Sequence, residues 1–438
     1  MTSQMTPKTF PTPNQNSIDQ NEKEILKFWQ QNRVFERSVE TRSEKNPFVF
    51  FDGPPFATGS PHYGHILAGS IKDAIPRYKT MCGYRVERKW GWDCHGVPVE
   101  FLIEKEHKIG GKPGIEKMGI GNFNELCRDA VMRCADDWKG TVARMGRFVD
   151  FENDYKTMDP EFMESVWWVF GELWKKGLIY EGEKVVPYSP KLGSPLSNFE
   201  ANLNYKKVQD PTATVKFELV DEPGTFFLAW TTTPWTLPSN VAVGFGKDLN
   251  YALVSHENEK LWVAEACVEK IFGEGFPEDK ILETKIGAEF LNTKYKPLFP
   301  FFENSDEKRF IALHDEADYI TTDAGTGIVH FAPSFGEEDA NLCQKFEVFG
   351  VNPIDENGFF DDQISELNGK YFRADDEIEG SKIDNANKWV LAKLKESGLL
   401  FAGEQETHEY PFCWRTDCAL MYRGIKTWFV NVTKAKDR

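Results

Sequence analysis

FVFFDGPPFATGSPHYGH, residues 48–65, joins an apolar run to a glycine- and proline-rich loop and then to helix-forming sequence. FVFF (48–51) is halted by Asp52-Gly53-Pro54-Pro55, which predicts a buried strand ended by a turn. Helix-forming sequence resumes from about His65 through Lys79. YRVERKWGW (84–92) reads as a second strand and 122–145 as a long helix. Strand, glycine-rich loop, helix, strand is the opening of a doubly wound sheet. The expected fold class is therefore α/β, starting with the first half of a Rossmann-like parallel sheet domain.

Inside the loop, Gly53, Gly59 and Gly64 allow close backbone approach while three prolines stiffen the chain. His62 and His65 are three apart at a helix start, so both imidazoles can face one ligand. Amide N–H groups at a helix N-terminus suit an anionic phosphate. Taken alone, such a pair reads first as a turn carrying core or surface histidines. Its position just beyond the first predicted strand, where open α/β sheets bind ligands, favours the phosphate. The second strand runs into KWGWDCHGVPVE (89–100). An acidic Asp93 between aromatics at a strand's carboxyl end can pair with an ammonium group beside an apolar pocket. The plainer alternative is a surface aspartate flanked by core tryptophans.

Outside this stretch, residues 1–20 are polar, read as a disordered tail, and resemble neither a secretory signal nor a transit peptide. Residues 21–36 have apolar residues at helical spacing, and 40–46 form a short polar link. After about residue 180 the character changes. Short β-rich runs follow, among them ATVKFELV (213–220), TFFLAW (225–230), YALVS (251–255), LWVA (261–264) and GIVHFA (327–332), separated by Gly, Pro and Asp turns. Four segments are expected: an N-terminal tail and helix (1–46), half of the α/β domain (47–183), an inserted β-rich domain (184–402) and a return segment (403–438). A length of 438 residues suits two or three domains.

Hydrophobic residues at 40% and charged residues at 28% are ordinary for a soluble globular chain. No run of 18 apolar residues occurs, so no membrane span is expected and the cytoplasm is the natural location. Eight scattered cysteines make no disulfide framework and are expected to be mostly reduced. A net charge of −17 argues against a general nucleic-acid-binding module. Any RNA partner must meet a local basic patch, or a part of the protein beyond this chain.

Two stretches stand out in the β-rich segment. AWTTTPWTLPSNVAV (229–243) holds Thr231, Thr232, Thr233 and Thr236, and GTGIVHFAPSFGEED (325–339) holds His330 and Asp339. Separately, the threonines read as strand-favouring sequence and His330 as a satisfied core histidine. In YPFCWRTDCALMYR (410–423), Cys413 and Cys418 suggest zinc. A structural zinc wants four ligands, however, and two free thiols are the other reading.

PHYGH resembles the HIGH signature of class I aminoacyl-tRNA synthetases, and GPPFATG resembles the isoleucine, valine and leucine subgroup. WTTTPWTLPSN is similar to the editing stretch of isoleucyl enzymes rather than to the TTRPET-like stretch of their valyl relatives. The resemblance extends from about residue 20 to 438. It implies that His62 and His65 contact ATP phosphates, within a loop completed by Gly53, Pro54, Gly59 and Gly64. It implies that Asp93 holds the substrate amino group, with Pro55, Trp92 and His95 as neighbours. In the insert it makes Asp339 the anchor for the α-amino group of a misattached residue. Thr231, Thr232, Thr233 and Thr236 would bind the terminal adenosine and help place a water, while His330 lines the pocket. The implied partners are isoleucine, ATP with Mg²⁺, tRNA(Ile), and valine as the edited residue, in a protein that is monomeric when intact. The family's upstream zinc cysteines correspond here to Ser189 and Leu192.

A second, proofreading site has a physical reason. One methylene in a hydrophobic pocket discriminates by only about 1–3 kcal/mol, a limit of which isoleucyl enzymes are themselves the standard illustration. The family's KMSKS loop and anticodon-binding region fall further along than this chain. The expectation is therefore a ligase represented by its amino-terminal portion, with a stand-alone editing hydrolase or a non-catalytic tRNA-binding fragment as the alternative.

Overall fold

The structure, a computed structural model, describes residues 16–56, 59–302, 308–315, 319–373, 377–378, 381–382 and 385–436. Residues 1–15 of the expected tail and Ala57 and Thr58 of the loop lie outside the described residues. The protein is mixed α/β and divides into two compact units, Met1–Leu178 and Ile179–Arg438.

In the first unit a helix begins at Ile18, inside the expected tail, because Ser17 and Gln20 cap it reciprocally. A second helix follows over Val34–Glu40. The FVFF run departs from expectation. It is extended, and Phe48 donates its N–H to Arg85 at 2.9 Å, but only single bridges at Pro47 and Phe56 join the segment to its neighbour. Val49 and Phe51 are 68% and 91% exposed, so this is not a buried strand. An apolar run signals that burial is favourable and says nothing about whether partners stand on both faces. The Tyr63–Met81 helix follows the loop.

Next come two parallel strands, Lys89–Trp92 and Asp150–Lys156. Parallel strands need a crossover, which four helices supply: Val97–His107, Gly111–Met118, Ile120–Met132 and Ala135–Arg144. The single helix expected over 122–145 is thus two, broken at Arg133–Cys134. Neither Gly nor Pro marks the break, and both halves bury apolar residues in the same core, so the periodicity runs on across it. That core gathers Trp90, Trp92, Val99, Ile103, Phe123 and Trp138.

The second unit is built on a six-stranded sheet. Its order is Ile281–Ile286, Asn250–His256, Glu259–Ala264, Thr225–Thr231, Tyr205–Glu218 and Leu400–Pro411, antiparallel except where the third and fourth strands meet. A three-stranded sheet centres on Ala242–Gly246, flanked by Ile311–Asp315 and Ile328–Phe331. Phe217, Phe227, Phe245, Tyr251, Trp262 and Phe290 fill the shared core. The strand Ile179–Ser189 pairs along its length with Met421–Val430 and carries the short Ser194–Pro195 strand on its other edge. No described helix is long and apolar enough to cross a membrane.

Candidate functional site

In the first unit the loop delivers two histidines to the start of the Tyr63–Met81 helix. His62 caps that helix: its Nδ1 accepts the Gly64 N–H at 3.1 Å, and His65 Nδ1 accepts the His62 N–H at 3.3 Å. The two rings stack with centroids 3.6 Å apart. A ring nitrogen that accepts carries no proton, so each imidazole bears its proton on Nε2. Two Nε2–H donors are therefore fixed at a helix end whose first amides are unsatisfied within the helix. A Cβ at Gly64 would lie 3.0 Å from the His62 ring, so the glycine makes room for the cap. Burial, with His62 and Lys72 nearby, holds His65 below the ordinary imidazole range and keeps it neutral.

Residues that sequence reasoning missed complete this arrangement. Trp138 packs its ring 4.7 Å from His65 and donates its indole N–H to the Gly59 carbonyl at 2.9 Å, clamping the loop from the crossover. Lys72 donates to the Gly53 carbonyl at 2.9 Å and pairs with Asp52, to which Arg147 also pairs. Beside them is a cavity of about 450 Å³ whose lining includes Gly53, Pro55, His65, Trp90 and Trp138. Lys72, Arg77 and Arg147 face it against Asp52 and Asp73, leaving one positive charge in excess for an anion. Pro54, Gly59, His62 and Gly64 are not in its lining. Lys72 lies in helical sequence and Arg147 just past a helix, where charges are usually solvated, so only their convergence marks them.

The predicted amino-acid residues are placed less uniformly. Asp93 donates its backbone N–H to the Pro55 carbonyl at 2.9 Å, which joins the two segments, and its side chain is half-buried. Trp92 is fully buried and donates Nε1–H to Asp154 at 2.8 Å, so it is a core residue beneath the site. His95 is exposed, 3.5 Å from the Thr157 hydroxyl. None of the three lines the cavity.

In the second unit the threonine run and His330 meet. The Thr231 and Thr233 hydroxyls are 3.2 Å apart, Thr233 and Thr236 are 3.4 Å apart, and Thr236 Oγ1 is 3.0 Å from His330 Nε2. Thr236 spends its hydroxyl proton on the Thr233 carbonyl at 2.8 Å, so it accepts from His330 Nε2–H. The other ring nitrogen, Nδ1, is buried and has no protein donor. Burial pushes His330 down to about 4, so near neutral pH it is an uncharged ring with one acceptor to offer. Thr232, next along, is half-buried.

Asp339 sits in the first turn of the Glu337–Lys345 helix and accepts the Ala332 N–H at 2.9 Å, two residues beyond His330. The residue as a whole is half-buried, yet burial of the carboxyl, with Glu338 adding to it, lifts Asp339 to about 7. Two buried asparagines also missed from sequence hold the threonine loop. Asn387 accepts the Trp235 N–H at 2.8 Å, and Asn240 links the Ala242 carbonyl to the Tyr295 hydroxyl at 2.8 and 2.6 Å. Their buried amides are recognisable only once the partners are adjacent.

The cysteine pair does not fit zinc. Cys418 Sγ lies 3.3 Å from the Ser189 hydroxyl and 3.2 Å from that of Thr416, while Leu192, Leu196 and Leu420 pack around the thiols. Two sulfurs, two hydroxyls and an apolar lining are a poor donor set for a tetrahedral site. Among the described residues no group of three or more His, Cys, Asp or Glu is placed to hold a metal. Treating the purified chain with a chelator should leave its melting temperature within about 1 °C, since so poor a donor set would link little folding energy to a metal. A fall of several degrees with release of one zinc per chain would contradict this.

A sequence model described as tRNA synthetases class I (I, L, M and V) matches residues 24–438. The isoleucine–tRNA ligase of Bdellovibrio bacteriovorus is 47% identical over 435 residues, covering 99% of this chain and 40% of the relative. That of Protochlamydia amoebophila is 48% identical over 425 residues, covering 97% and 40%. The cytoplasmic isoleucine–tRNA ligase of Saccharomyces cerevisiae is 45% identical over 420 residues, covering 95% and 38%. The chain thus spans about 40% of the length of the curated relatives it matches.

Proposed function

The chain belongs to the class I tRNA synthetases of the I, L, M and V group, and we propose that it carries the ATP loop and the proofreading pocket of an isoleucine–tRNA ligase. One observation carries the activation half: both imidazoles give their Nδ1 atoms to backbone N–H groups and so keep Nε2–H for a ligand. In activation, the isoleucine carboxylate attacks the α-phosphorus of ATP and pyrophosphate leaves, giving the isoleucyl adenylate. His62 and His65, with the excess positive charge at Lys72, Arg77 and Arg147, stabilise the charge that develops on the phosphates. Mg²⁺ would arrive as the counter-ion of those phosphates. A terminal ribose hydroxyl of tRNA(Ile) then attacks the acyl carbonyl and AMP leaves. Asp93, beside Pro55, pairs with the isoleucine ammonium.

On this reading 1–46 is an N-terminal extension, 47–183 half of the catalytic domain, 184–402 the editing insert and 403–438 the return towards the catalytic domain. The protein acts in the cytoplasm as a monomer. In the insert, Asp339 holds the ammonium of a misattached valine. The threonine hydroxyls receive the terminal adenosine and position a water, and His330 bounds the side-chain space. An ester is already activated, so a placed water suffices without a metal.

The threonines, His330 and Asp339 all lie within the second unit, so hydrolysis is testable on the chain as it stands. Deacylation of valyl-tRNA(Ile) should far outpace that of isoleucyl-tRNA(Ile), and Asp339→Ala should abolish it. Equal release of the two amino acids by a folded chain would refute the size-selective pocket.

A further inference from the structure

We propose that Gly336 is a positioning residue for the editing carboxylate: the absence of a side chain at 336 is what lets Asp339 turn its carboxyl onto the Ala332 amide. This rests on the editing role given to Asp339 above. Gly336 precedes the Glu337–Lys345 helix in extended backbone, φ −138° and ψ 131°, a conformation open to any residue. Conformation therefore gives no reason for a glycine there. Space does. A Cβ at 336 would lie 2.9 Å from Asp339 Cγ and 3.1 Å from each carboxylate oxygen. No other group comes as near to that Cβ.

The backbone cannot retreat to make room. The Gly336 carbonyl accepts the Ala340 N–H at 3.0 Å, and the preceding Phe335 donates to the Ala332 carbonyl at 2.8 Å. The Phe335 ring is wedged edge-on against Trp235, 5.2 Å between centroids. One residue further back, the Ser334 carbonyl accepts the Gly424 N–H at 3.0 Å. The mobile partner in the collision is the carboxyl group, and rotating it away breaks its bond to Ala332. The Thr236–His330 pair lies on other segments and stays as it is. A side chain at 336 thus displaces and weakens the anchor for the substrate ammonium while sparing the rest of the pocket.

The test is deacylation of valyl-tRNA(Ile) by the chain carrying Gly336→Ala, beside Asp339→Ala and Gly350→Ala. The Gly350 change crowds the same turn through Ser334, at 2.6 Å from its Oγ and 3.0 Å from its backbone nitrogen, rather than through the carboxyl. Gly336→Ala should raise KM about 10-fold or more with kcat changed much less, the pattern of lost ground-state binding. The pH midpoint of kcat/KM should also fall from near 7 towards the ordinary carboxylate range, because the displaced carboxyl is rehydrated. Gly350→Ala should leave both KM and midpoint unchanged. Should Gly336→Ala fail to fold, Gly336→Ala with Asp339→Ala must restore folding, since the colliding group is then gone.

An unshifted KM and midpoint in folded Gly336→Ala, with deacylation lost in Asp339→Ala, would overturn the proposal alone. So would a double variant that stays unfolded. Full activity in Asp339→Ala would instead overturn the editing reading and this proposal with it.

Discussion

His65→Ala is expected to slow adenylate formation about 100- to 1000-fold, the usual cost of deleting one preorganised donor to a developing anion. The measurement is ATP–pyrophosphate exchange in the polypeptide extended to its relatives' full length. The loss should lie towards the upper end, because His65 does two things. Its Nε2–H is one of the donors, and its Nδ1 accepts the His62 N–H and so orients the other ring. Two further substitutions separate these roles. Asparagine can place an acceptor near Nδ1 and preserve the cap, whereas glutamine can place a donor near Nε2. If the donor matters most, Gln should retain more activity than Asn, and Asn more thermal stability. Valyl-tRNA hydrolysis should not change, since the threonines, His330 and Asp339 belong to the other compact unit. A parallel fall of exchange and hydrolysis in a folded variant would show that the two activities do not belong to separate sites.

Why the loop was legible in the sequence and its surroundings were not follows from how far each feature reaches along the chain. The His62–His65 cap spans three residues, and the glycines and prolines that shape it are contiguous, so local pattern suffices. Trp138, Lys72 and Arg147 act on the same loop from 19 residues away or more. Nothing in their own neighbourhoods distinguishes them from core or surface side chains. The same holds in the second unit. The threonine run was visible as a cluster, but its junction with His330 spans 94 residues, and the Asn387 support spans 152. The β runs fared well because a short apolar run bounded by turn residues is a local signal: the Thr225–Thr231 and Asn250–His256 strands are buried along most of their length and fall within a residue of expectation. FVFF failed for the opposite reason, since strand status depends on neighbours that an apolar run cannot specify. The Ser189 hydroxyl beside Cys418 is likewise a contact across 229 residues that the local cysteine pattern cannot show.

Hydrolysis of valyl-tRNA(Ile) should rise with pH through about 7, until the substrate ammonium itself deprotonates at about 8, and the stability of the chain should change in the opposite sense. Burial lifts Asp339 from 3.8 to about 7, so at pH 6 only about a tenth of the carboxyls are ionised and able to hold an ammonium. His330, pushed down to about 4, does not titrate in this window. At subsaturating substrate, kcat/KM at pH 6 should then be about a tenth of its value for a fully ionised carboxyl, within the limits of a single-site titration. The stability follows from linkage. A group whose folded value is raised stabilises the fold fully below its unfolded value, near 3.8, and that contribution is lost as pH rises through about 7. The cost at pH 8 is on the order of 2 kcal/mol once the partial exposure of the residue is allowed for. Asp339→Asn keeps an acceptor for the Ala332 N–H but cannot ionise. It should melt higher than the parent at pH 8 and nearly level with it at pH 4, while hydrolysing little at either. Such a pairing, more stable and less active, is the signature of a carboxylate kept in an unfavourable place for its chemistry. A variant no more stable than the parent at pH 8, or a parent whose hydrolysis is flat between pH 6 and 8, would mean that Asp339 is ionised throughout.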